Sequence, residues 1–176
     1  HRLLYAADGM LYQLAICHAA RQLGLDVHMC TRGEEASLAA ERLGPTYNAV
    51  VTVLRGSALA EARQRDADLA GGRDRGPLHG IPYGAKDLLA AAGAPTTWGA
   101  QPYRDQMLKS DATVVRRLRE AGAVLCAKLA MVELAGGMGY NQAFASFTGP
   151  GRSPWGLSRW SGGSSRMDRR VPWNCC

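Results

Sequence analysis

Leu11, Leu14, Ala15, His18 and Gln22 recur at helical spacing, the first three of them apolar, and Gly24 closes the stretch. Leu25 to Cys30 follows as a short strand candidate. Glu34 to Leu43 predicts a second helix, stopped by Gly44-Pro45. Beyond it the pattern alternates. Tyr47 to Val53 is rich in β-branched residues and predicts a strand. Ser57 is a candidate N-cap for a helix through Leu69 that ends at Gly71-Gly72. Pro77 to Ala85 is extended. Asp111 is placed to cap a helix carrying Val114, Val115, Leu118 and Ala121, with Gly122 after it. Ala123 to Ala127 is a short, wholly apolar strand. Such a strand directly after a helix implies a buried parallel sheet. The repeated alternation of strand and helix implies a layered α/β fold.

Residues 136–165 break the pattern with glycine, serine and proline. The segments are Gly136 to Asn141, Phe147 to Trp155 and Ser161 to Ser165. Glycine-rich loops let backbone amides approach a ligand closely, so this stretch is read as functional loop. From Arg166 the composition changes again, to Met-Asp-Arg-Arg-Val-Pro-Trp-Asn-Cys-Cys without periodicity. Three zones follow: an N-terminal helical region at 1–44, a core at 45–165 and an unrelated tail at 166–176.

Composition narrows the function classes. The 176 residues are 47% hydrophobic and 20% charged, which suits one folded domain rather than a disordered chain. No apolar run reaches the roughly 18–20 residues of a membrane helix, and no secretory leader pattern is visible. The net charge of +6 rests on dispersed arginines, and aromatics make up only 7% of the chain. That pairing argues for a solvated arginine-rich surface rather than a nucleic-acid platform. The five cysteines form no Cys-x-x-Cys pair. Cys126 reads as a small buried hydrophobe. Cys17, His18, His28 and Cys30 match no standard zinc spacing, so no metal is expected. With no Cys-x-x-Cys pair, a reducing cytoplasm is the simplest expected setting.

The candidate chemistry lies in two places. Lys86 ends the run Gly76-Pro-Leu-His-Gly-Ile-Pro-Tyr-Gly-Ala-Lys86, and Ser164 and Ser165 sit on the Gly/Ser turn after Trp160. A lysine serves as a base near neutral pH only when burial favours its uncharged form. Ile81, Leu88 and Leu89 are the apolar neighbours expected to supply that burial. The competing reading is an ordinary ion pair between Lys86 and Asp87.

These segments resemble the amidase signature family. Gly80-Ile-Pro-Tyr-Gly-Ala-Lys86-Asp-Leu is similar to its lysine motif. Asp111 to Leu125 resembles the helix and strand that follow. Ser153-Pro154-Trp155 resembles an Asn-Pro-Trp element, with serine in place of asparagine. Ser161-Gly-Gly-Ser164-Ser165 resembles the start of its Gly-Gly-Ser-Ser-Gly-Gly-Ser motif. The resemblance spans about residues 45–165. It implies a layered α/β/α core whose sheet is incomplete here, and amide C–N hydrolysis by a Ser–Ser–Lys triad. Lys86 would be the base and Ser164 the bridging serine, held in the family by a cis peptide bond. Gly137, Met138 and Ser165 would touch substrate. The attacking serine would follow roughly two dozen residues after Ser164, but no serine follows Ser165 here. The chain is therefore expected to be inactive alone, and a reading-frame shift after Ser165 would account for the altered tail. The resemblance implies no cofactor and a small-molecule amide as substrate. Neither membrane nor nucleic acid is an expected partner, whereas a second copy could pair through an exposed sheet edge. A noncatalytic protein on the same fold and a fragment of an A-type amidotransferase component stay open as alternatives.

Overall fold

The computed structural model describes residues 33–135, 149–153 and 155–160. In chain order they form α1 (Gly33–Tyr47), β1 (Val50–Val53), α2 (Arg55–Ala70), β2 (Pro82–Lys86), α3 (Thr113–Glu120), β3 (Val124–Leu129), β4 (Arg152–Ser153) and β5 (Gly156–Trp160). The first three strands make one sheet in the order β1-β3-β2. The central strand β3 is buried at every position, which accounts for its apolar sequence. β2 runs parallel to β3 and β1 antiparallel to it. The expected parallel sheet therefore holds for the β2–α3–β3 unit, while β1 makes the sheet mixed. Among the described residues β2 has no second partner strand, so the α/β sheet is incomplete.

A register shift in β3 decides which residues share a face. Tyr83 pairs with Leu125, but the next residue, Gly84, pairs with Ala127. Cys126 is the extra residue, and its carbonyl accepts from the Leu54 amide at 2.8 Å. This bulge changes the alternation of side chains along the strand. Leu125 packs with Ala85, Ala91, Ala94 and Val115 on one side. Val124 and Cys126 pack on Ala58 of α2, and Ala127 and Leu129 pack near Ala40 of α1. Burial pushes the Cys126 thiol up to about 11.

Several local expectations need correction. The first helix does not stop at Gly44-Pro45 but runs on to Tyr47 with Pro45 inside it. Pro45 falls in the last turn, where it cannot donate to the carbonyl four residues back, and the helix continues past it for only two residues. Gly44 lets the helix approach β1, since a Cβ there would lie 3.1 Å from Val50 Cβ. Tyr47 is thus helical, and the strand begins only at Val50. Ser57 is not an N-cap. It lies in the first turn of α2 and donates to the Leu54 carbonyl at 3.1 Å. Asp111 is not a cap either. Its Oδ1 accepts from the Ala92 amide at 2.7 Å and its Oδ2 pairs with Arg119. Within the stretch read as loop, β4 and β5 form an antiparallel hairpin. Asn48 Nδ2 joins that hairpin to the α1–β1 turn by donating to the Pro150 carbonyl at 3.0 Å. The helix and strand expected before residue 31, with Cys17 and His18, lie outside the described residues, as does the tail from 166.

Three arginines converge on one buried carboxylate, although of the three only Arg65 is itself largely buried. Asp68, near the end of α2, is buried and meets Arg65 at 3.1 Å, Arg73 at 2.9 Å and Arg75 at 2.9 Å. Gln64 Nε2 donates to it at 3.2 Å. His79 closes the arrangement: its Nδ1 accepts from the Arg75 amide at 3.0 Å and its Nε2 lies 2.9 Å from the Arg65 carbonyl oxygen. The loop between α2 and β2 is thereby folded onto one carboxylate. The Gln64 hydrogen bond, with those of the arginines and their charge, outweighs desolvation and holds Asp68 below its ordinary 3.8. A carboxylate lowered on folding stabilises the fold above its unfolded value, and the effect disappears as pH falls through its folded value. Asp68→Asn is therefore expected to melt at lower temperature than the wild type at pH 7. The gap should begin to narrow only below about pH 3.8. Thermal melts across about pH 3–7 check this, and a gap independent of pH would contradict it.

Candidate active site

Lys86 is the last residue of β2 and is half-buried. Its Cα lies opposite Leu129, the last residue of the parallel neighbour β3. The carboxyl ends of adjacent parallel strands are where α/β sheets place their ligands. The apolar blanket expected around Lys86 is not what surrounds it. Ile81 is 40% exposed and Leu88 45% exposed, and Leu89 packs instead against the cluster around Ala85 and Leu125. Ile81 precedes the strand and Leu88 stands in the turn after it, so neither covers the Lys86 face.

The ion pair expected between Lys86 and Asp87 is also replaced. Consecutive strand residues point to opposite faces, and Asp87 turns inward to Lys128 of β3. Both side chains are 0% exposed, with Lys128 Nζ 3.0 Å from Asp87 Oδ1. That contact is an ion pair without hydrogen-bond alignment. The three N–H groups of the ammonium have three other acceptors: the Leu89 carbonyl at 2.8 Å, Thr96 Oγ1 at 3.0 Å and the Pro95 carbonyl at 3.3 Å. Asp87 Oδ2 accepts from the Thr97 amide at 3.0 Å and from the Thr97 hydroxyl. Desolvation lowers Lys128 from its ordinary 10.5, opposed by the adjacent Asp87 carboxylate. The strongly desolvated lysine of this region is Lys128.

The arrangement continues into the turn that follows. Thr97 Oγ1 accepts from the Gly99 amide at 3.2 Å, and the Trp98 carbonyl accepts from the Leu134 amide at 2.8 Å. Trp98, Leu134 and Ala135 all have left-handed backbone, with φ of 53°, 50° and 53°. Such residues cost of order 1–3 kcal/mol each and collect at functional sites. Gly99 is required here: at φ +70° a Cβ would stand 2.8 Å from the Met131 carbonyl oxygen. The segments leaving β2 and β3 are thus locked together just beyond Lys86.

Lys86 is the one expected site residue that the described structure contains. Ser164, Ser165, Gly137 and Met138 lie outside the described residues. Lys128, Thr96 and Thr97 were not among the expected site residues. The available signal was a lysine in the otherwise apolar run Val124 to Leu129, where a charge requires an internal partner. Among the described residues no cluster of His, Cys, Asp and Glu could hold a metal ion, and no helix is long and apolar enough to cross a membrane.

The amidase family pattern matches residues 34–166. The chain belongs to the amidase family. It is 45% identical over 125 residues to the putative amidase AmiD of Mycobacterium tuberculosis, covering 71% of this chain and 25% of that protein. It is 40% identical over 153 residues to the A-type component of the glutamyl-tRNA(Gln) amidotransferase of Acidothermus cellulolyticus, covering 87% of this chain and 29% of that protein. The native peptide amidase of Stenotrophomonas maltophilia is similar in structure, with a TM-score of 0.58 at 35% identity over 85% of this chain and 29% of that one. The chain thus spans between a quarter and three tenths of the length of these curated relatives.

Removing one member of a buried ion pair strands the other. Lys128→Met is expected to destabilise the fold by about 3–5 kcal/mol. Urea denaturation measures this, and a loss below about 1 kcal/mol would show that the pair is not buried as described.

Proposed function

We propose that this chain supplies the lysine-bearing part of an amide-hydrolysing site, with Lys86 as base and Ser164 as the hydroxyl that bridges to the nucleophile. The observation that supports it best is the position of Lys86, at the carboxyl end of a parallel strand whose neighbouring segments carry left-handed residues at Trp98, Leu134 and Ala135. Membership of the amidase family supplies the reaction class.

In this reading the uncharged Lys86 amine takes the proton of the Ser164 hydroxyl. Ser164 in turn takes the proton of an attacking serine as that oxygen bonds to the amide carbon. The carbonyl π pair moves onto oxygen. Collapse of the tetrahedral species breaks the C–N bond, and the proton returns through Ser164 to the departing nitrogen. Water then hydrolyses the acyl ester and the attacking serine recovers its proton. Residues 1–176 hold no serine at the family's attacking position, so in this reading the site is completed outside them. Ser165, Gly137 and Met138 are proposed substrate contacts. The substrate is a small-molecule amide, and a cytoplasmic setting and self-association through the β2 edge belong to the same proposal.

A second reading is supported by the similarity to the A-type component of glutamyl-tRNA(Gln) amidotransferase, which extends over more of this chain than the match to AmiD. There the same lysine and serine would release ammonia from an amide for transfer within a complex. A noncatalytic role on the same fold would leave Lys86 dispensable.

The 176-residue chain is expected to show no turnover of simple aryl or aliphatic amides. Turnover abolished by Lys86→Ala would show that the site is complete within these residues. Turnover untouched by Lys86→Ala would remove the lysine from the chemistry.

A further inference from the structure

We propose that Lys128 is a positioning residue, which acts through Asp87 and Thr97 to fix the turn after Lys86 and with it the direction in which the Lys86 amine leaves the sheet. The importance of this for catalysis rests on the reading of Lys86 as the base. The Lys128 ammonium reaches the carbonyls of Leu89 and Pro95 and the hydroxyl of Thr96, at both ends of one loop. It also faces the carboxylate of Asp87, the residue immediately after Lys86.

Asp87 is held twice more. Its amide donates to the Leu129 carbonyl at 2.9 Å, continuing the β2–β3 ladder past the end of the strand. Its carboxylate holds the amide and hydroxyl of Thr97. Lys86 is therefore flanked on its carboxyl side by a residue held through both its backbone amide and its carboxylate. Its own carbonyl is also engaged, accepting from the Leu89 amide at 2.9 Å. A methionine at 128 would fill similar space but bond to none of these acceptors. The bulge at Cys126 makes the arrangement possible, because it puts Lys128 on the same face as Leu125 and the 89–97 loop.

A structural role alone would change stability and leave the native environment of Lys86 intact. A positioning role changes that environment in protein that is still folded. The test is the acylation rate of Lys86 at fixed pH, read by peptide mass spectrometry on the full chain, with exposed Lys109 as internal reference. Folding of every variant is checked by thermal melt. Lys128→Met and Thr97→Val are expected to change the Lys86 rate relative to Lys109 by about tenfold. Thr97→Ser keeps the hydroxyl and is expected to retain the wild-type rate. Thr97→Val leaves both charges in place and decides the matter if Lys128→Met does not fold. A folded Thr97→Val protein with a Lys86 rate within about twofold of wild type would overturn the proposal. Wild-type Lys86 that reacts just as Lys109 does would count against its role as base. The comparison of variants would still judge the positioning role by itself.

Discussion

A buried ammonium facing a buried carboxylate organises this fold. Placing either charge in a protein interior costs several kcal/mol, and attraction between them repays that only when the remaining donors and acceptors are also satisfied. Lys128 meets that condition in full, whereas on Asp87 only Oδ2 is hydrogen-bonded and Oδ1 has the ammonium charge alone. Three acceptors surround the amine, and the amide and hydroxyl of Thr97 serve the carboxylate. Every one of those partners lies on the loop between β2 and α3. Satisfying the charges therefore fixes the loop, and the loop fixes what surrounds the end of β2.

The consequence reaches Lys86 through two neighbouring structures. Strand alternation sends Asp87 inward and leaves Lys86 on the opposite face, beside Leu129. Thr97 passes the constraint to Gly99, and the Trp98 carbonyl passes it to Leu134 in the segment leaving β3. The left-handed backbone at Trp98, Leu134 and Ala135 is tolerated because both segments are held from several sides. Interior polar chemistry, strained turns and the candidate base are thus parts of one continuous arrangement at the carboxyl edge of the sheet.

Much of this was legible from residue pattern, and the rest was hidden for identifiable reasons. The apolar run from Val124 marked β3, and the Gly80 to Asp87 motif pointed to the amidase family. What pattern could not show was where polar groups find partners. Asp111 looked like a helix cap because capping is local, yet its partners are Ala92, 19 residues earlier in the same β2–α3 loop, and Arg119 at the far end of α3. Pro45 looked like a stop, and the helix does end two residues after it, at Tyr47. Ile81 and Leu88 looked like a cover for Lys86, but position relative to the strand decides burial more than hydrophobicity does. The arginines read as surface charge, although three of them converge on Asp68. The bulge at Cys126 carries no sequence signature, and with it the face occupied by Lys128 was unreadable.

The most direct measurement is side-chain 15N NMR of the Lys128 ammonium at neutral pH. A resolved, slowly exchanging NH3+ signal, coupled to its oxygen acceptors, is the predicted result. A Lys128 amine that exchanges with water as fast as that of exposed Lys109 would contradict the account, because an interior charge with four fixed partners cannot be open to solvent.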